Sequence, residues 1–137
     1  MNSTVRTILS VIAGLAAIFL AGLILFPLVK MVVQRYFSIV ESGYSLNKLI
    51  VDTTFFAWIA LAGFAGGFVA ALLAASKNIL HALITGVTAL AGILLFTLFS
   101  KSGDTGNGLL GGLGLLLFCL IGGLIQQKIA LSKYETI

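Results

Sequence analysis

Apolar residues in this chain neither alternate nor recur singly at helical spacing; they run on without a break. From Thr7 to Val29 no ionisable side chain occurs over 23 positions. Thr53 to Ala75 is likewise uncharged, and Ile79 to Phe99 holds one ionisable residue, His81, close to its start. Leu109 to Ile125 gives 17 more positions before the pattern resumes with Ile129, Ala130 and Leu131. A helix that crosses a bilayer needs about 20 apolar residues, whereas membrane strands need about 10 and alternate. The pattern predicts an all-α fold, an integral membrane bundle of four transmembrane helices over about 5–41, 46–75, 79–100 and 108–132. These form a single domain of residues 1–137. The first run exceeds the roughly 7–15 apolar residues of a signal peptide, so it reads as a retained helix.

The connections refine this picture. Ser76-Lys77-Asn78 is so short that the second and third helices should be antiparallel neighbours, and Lys101 to Gly108 (KSGDTGNG) reads as a flexible turn. Between the first two runs, Val32, Val33, Tyr36, Phe37 and Val40 share one helical face, opposite Gln34, Arg35, Ser38 and Glu41. Ser42-Gly43 breaks that pattern, Ser45 suits an N-cap, and Lys48 pairs with Asp52 four residues on. The first two helices are therefore expected to extend beyond the bilayer and turn near residues 42–44. The alternative is a flat interfacial helix at 31–41. Pro27 should kink the first helix, leaving a carbonyl near Leu23 for a neighbour or water to satisfy.

Small residues are arranged in rows. On the second helix Gly63, Gly67 and Ala71 form one small-xxx-small row, and Ala62, Gly66, Ala70 and Ala74 the adjacent one. Helices in lipid associate through such close backbone packing. A face this wide serves neighbours within the chain or a second chain outside it. The segments AGLILF (21–26) and AGILLF (91–96) echo each other, as do Gly66-Gly67 and Gly122-Gly123. Related hairpins of this kind occur in transporters, but the unequal offsets of 70 and 56 favour chance similarity.

Composition confirms the solvent. The chain is 60% apolar and 9% charged, against about 45–50% and 25% in soluble domains, so a soluble globule is excluded. The net charge of +4 comes from basic residues at the borders of apolar runs (Arg6, Lys30, Lys77, Lys101, Lys128), where they anchor helices among headgroups rather than bind nucleic acid. The single cysteine, Cys119, reads as an apolar filler.

Candidate chemistry is sparse. No Asp, Glu, Lys or Arg lies in the middle of any run, and function inside a membrane ordinarily rests on such residues. His81, at interface depth, is expected to be structural or to bond headgroups or water; a proton or ligand role is the other reading. Asp52, the deepest carboxylate, should pair with Lys48. Gly106, Gly108 and Gly111 match G-x-G-x-x-G without the strand that a dinucleotide site requires. No catalytic set, cofactor site or metal site is expected.

The stretch AGFAGGFVAALLAASKNILHALITG (62–86) resembles small uncharacterised four-transmembrane bacterial membrane proteins, in which a Gly-rich helix meets the next through a short basic turn followed by His and Gly. The resemblance covers about a fifth of the chain, implies the bacterial inner membrane as location and brings no known activity. Small multidrug exporters are similar in size but depend on a first-helix glutamate missing here, and the arginine-asparagine signature of dual-topology fluoride channels is absent. Two functions from different classes follow. One is a non-enzymatic accessory or structural subunit, or a homo-oligomer, packed through Gly63, Gly66, Gly67, Ala70, Ala71 and Ala74. The other is a small transporter, flippase or channel for a neutral or lipidic substrate. Four spans put both termini on one side. Lys and Arg divide evenly between sides, and the longer connection and Gly-rich turn, read as exported loops, place the termini in the cytoplasm.

Overall fold

The computed structural model describes residues 3–37, 44–74, 78–99 and 105–134. They form four helices: α1 (Ser3–Phe37), α2 (Tyr44–Leu73), α3 (Asn78–Phe99) and α4 (Thr105–Tyr134), with no strand among the described residues. Each helix contains a stretch long and apolar enough to cross a membrane: Thr4–Val32, Asp52–Leu73, Ile79–Phe99 and Gly108–Ser132. The physical reason for helices is the solvent itself. A backbone without water must satisfy its hydrogen bonds within each segment.

Several boundaries differ from expectation. α1 stays helical through Pro27 and on to Phe37, so residues 31–37 continue it and form no separate interfacial helix. Of the turn expected near residues 42–44, the first two positions lie outside the described residues and Tyr44 already belongs to α2. α2 begins at Tyr44, which puts Ser45 inside the first turn rather than at the cap, and it ends at Leu73, leaving Ala74 beyond the helix. α4 begins at Thr105, so Gly106 to Gly108 are helix and not turn. Gly108 belongs there because it packs against Thr97, whose methyl would lie 2.5 Å from any Cβ at that position.

α2 is the central stave. It packs along α1 on one side and α4 on the other; α4 carries α3, and α2 also touches α3. α1 and α3 meet over a shorter seam, while α1 and α4 do not approach each other among the described residues. The two small-residue rows of α2 explain this order. A Cβ on Gly63 would stand 2.7 Å from the Leu115 carbonyl oxygen of α4, and one on Gly67 would run into the Cys119 backbone. Gly122 of α4 returns the fit against the Phe64 carbonyl and the Phe68 amide. The other row faces α1. A Cβ on Gly66 would collide with Ile18, and one on Gly14 would lie 2.8 Å from the Ala70 methyl. Ala62, Ala70 and Ala71 are fully buried. Gly63, Gly67 and Ala71 of one row and Gly66 and Ala70 of the other thus pack inside one chain.

Hydroxyl groups bond within their own helices, as an apolar medium demands. Ser10 donates to the Thr7 carbonyl at 2.8 Å, Thr85 to the His81 carbonyl at 2.9 Å and Thr88 to the Ile84 carbonyl at 2.8 Å. Outward faces carry bulky apolar side chains such as Leu20, Ile24, Leu98 and Phe99, suited to lipid.

Candidate functional site

The α1–α3 seam is closed at one end and open along the rest. At the closed end His81 Nε2 lies 3.2 Å from Thr7 Oγ1, linking α3 to α1. One turn further in, Thr85 comes within 2.9 Å of where a Gly14 Cβ would be. Ser10 and Thr85 are fully buried and His81 is only 6% exposed. His81 therefore sits inside the bundle as a cross-helix pin instead of facing headgroups, because the Thr7 hydroxyl offers it a partner there. At the same end Arg6 donates from Nε to the Leu73 carbonyl at 3.4 Å, tying the start of α1 to the end of α2.

Beyond Gly14 and Thr85 the two helices separate and leave an open groove of about 710 Å³. α1 supplies one wall through Leu15, Phe19, Gly22, Leu23 and Pro27, and α3 the other through Ala89, Gly92, Ile93 and Phe96. Phe55 and Trp58 of α2 and Leu115 of α4 form the floor. The Phe55 and Trp58 rings stand 6.0 Å apart, and the Trp58 indole covers Gly22, its Nε1 3.2 Å from where a Cβ would be. Gly92 has no such neighbour. A Cβ there would meet nothing within 4 Å, so no contact among the described residues requires a glycine at that position.

The lining is hydrocarbon apart from the Trp58 nitrogen and backbone, and none of its side chains titrates. It offers shape and apolar surface, not acid–base or nucleophilic chemistry. Its volume lies within the roughly 300–1,000 Å³ of ligand sites. Among the described residues no three His, Cys, Asp or Glu side chains come together.

The residues singled out from sequence fall elsewhere. Gly63, Gly67 and Ala71 lie in the α2–α4 seam, Gly66 and Ala70 in the α1–α2 seam, and Ala74 is half-buried past the helix end. Asp52 is exposed, and the side chain of its expected partner Lys48 lies outside the described residues. The groove itself was missed, although a signal existed. AGLILF and AGILLF supply Gly22 and Leu23 to one wall and Gly92, Ile93 and Phe96 to the other, on two parallel helices. No family model, no curated protein and no solved structure matches the chain.

Proposed function

We propose that the chain is a small, non-enzymatic transporter or flippase for a lipidic substrate, whose hydrocarbon part lies in the groove between α1 and α3. The single observation that carries this reading is the groove: open to the side, lined almost wholly by hydrocarbon, and bordered by a glycine that no contact among the described residues requires. A substrate already dissolved in the bilayer reaches such an opening sideways, without crossing a polar vestibule. An accessory subunit or homo-oligomer built on the small-residue rows of α2 is less well supported, since α1 and α4 already cover both rows.

The test is lipid translocation in vesicles. Purified protein is reconstituted with a trace of phospholipid carrying a headgroup fluorophore, and a membrane-impermeant reductant bleaches whatever reaches the outer leaflet. Bleaching should pass the one-half plateau of protein-free vesicles, and Gly92→Leu, which fills the groove, should slow it severalfold. A plateau unchanged by the protein, together with its recovery from mild detergent in a defined complex with other chains by native mass spectrometry, would return the accessory-subunit reading.

A further inference from the structure

The groove has a direction and a length. On α3 its lining begins at Ala89, the middle of the Ile79–Phe99 span, and continues to Phe96 near the helix end. On α1 it runs from Leu15 to Pro27, about 18 Å at 1.5 Å per residue. Half of a hydrocarbon core roughly 30 Å thick is about 15 Å. The groove therefore occupies the depth of one leaflet and stops where Thr85 closes on Gly14. A partner transmembrane helix needs both leaflets. An acyl chain from a single leaflet matches the depth of the groove.

The mouth of the groove carries charge. Leu15, Phe19, Leu23 and Pro27 form a stripe on α1 that continues, one turn later, into the exposed Lys30. One turn before Phe55, α2 carries the exposed Asp52. The register that sets Gly22 beside Trp58 brings Asp52 level with Leu28, close to the height of Lys30. No ion pair between the two occurs among the described residues. A cation and a carboxylate at the open end complement a headgroup that bears both a phosphate and an amine.

Resting on the proposed lipidic substrate, we infer that the groove takes one acyl chain of an amine-bearing phospholipid from the leaflet on the side of the α1–α2 connection, with its phosphate at Lys30 and its amine at Asp52. Trp58, the only tryptophan in the chain, lies on the floor and reports occupancy directly. Bromine on a lipid chain quenches indole fluorescence on contact. The full-length protein is reconstituted separately with chain-brominated phosphatidylethanolamine, phosphatidylglycerol or diacylglycerol, each diluted in the same unbrominated lipid.

Quenching should be strongest for phosphatidylethanolamine, then phosphatidylglycerol, then diacylglycerol, each step roughly two- to threefold for solvent-exposed charge contacts. Lys30→Ala should bring phosphatidylglycerol down to the diacylglycerol level and leave phosphatidylethanolamine above it by its amine contact alone, and Asp52→Asn should erase the difference between the phospholipids. Brominated lipid confined to the opposite leaflet should quench far less. Gly92→Leu, whose folding is checked by circular dichroism and size exclusion, should at least halve quenching by all three lipids. Equal quenching by the three lipids with a normal Gly92→Leu effect would overturn the headgroup inference alone. A folded Gly92→Leu protein quenched as strongly as the parent would overturn the groove's occupancy, and the proposed function with it.

Discussion

Adding a single methyl group at Gly67 should unsettle the bundle far more than adding one at Gly92. A Cβ at Gly67 stands 2.5 Å from both the Cα and the carbonyl carbon of Cys119, whereas carbon atoms rest about 3.5–4.0 Å apart. Backbone cannot rotate aside as a side chain can, so α4 must retreat by about 1 Å. Such a gap forfeits a quarter to a half of each contact's roughly 0.1–0.2 kcal/mol. If the α2–α4 seam carries about as many contacts as one buried leucine, some 40–60, the loss is about 3 kcal/mol at the middle of these ranges and about 1–6 kcal/mol across them. Gly92→Ala meets nothing and gains the ordinary helix preference of alanine, about 0.5–1 kcal/mol. Equilibrium unfolding in mixed micelles, followed by far-ultraviolet circular dichroism, reads both. Equal stability of the Gly67→Ala protein and its parent, or a Gly92→Ala loss as large as the Gly67→Ala loss, would refute the packing account.

The Thr7–His81 bond gives a second prediction. Thr7→Val and His81→Ala should each cost about 0.6 kcal/mol, as interhelical hydrogen bonds in membranes do, and the double variant should cost less than the sum; strict additivity would show that the two side chains do not act together. A third concerns topology. Single cysteines at Thr4 and Asp104 should label from opposite sides of a vesicle, and the side that exposes Thr4 fixes the location of the termini. Native Cys119 is fully buried, so it should stay unlabelled until detergent unfolds the bundle.

Helix number and type were legible because uninterrupted apolar runs leave the backbone no alternative in lipid. The rows on α2 were legible as rows. Which helix each would meet was not, because the choice depends on backbone distances set by partner residues such as Ile18 and Cys119, far away in sequence. Gly106 to Gly108 read as a turn because glycine and asparagine favour turns locally; the fit of Gly108 against Thr97 is a tertiary fact that overrides the local preference. His81 read as structural or interfacial from its place in the run, and the bond to Thr7 that joins α3 to α1 depends on a neighbour 74 residues away in sequence. The groove depends on α1 and α3 diverging past Gly14. Apolar positions facing lipid and apolar positions facing a cavity look alike in sequence, so the echo around Gly22 and Gly92 was the sole pointer.

The central place of α2 has a consequence for how the chain assembles. α4, the partner of its Gly63–Gly67–Ala71 row, begins more than 30 residues after α2 ends. During synthesis α1 can dock on α2 at once through Gly14 and Gly66, since that pair forms a hairpin. The second row must wait in lipid, its helix intact but its smooth side bare, until α4 is inserted. In that interval it is adhesive to any small-faced helix nearby, including the same row on another nascent copy. Chains cut before α4 should therefore cross-link to one another through cysteines placed along the row, while full-length chains should not. α4 thus serves its own chain as an internal chaperone, withdrawing from circulation the surface most prone to wrong partners.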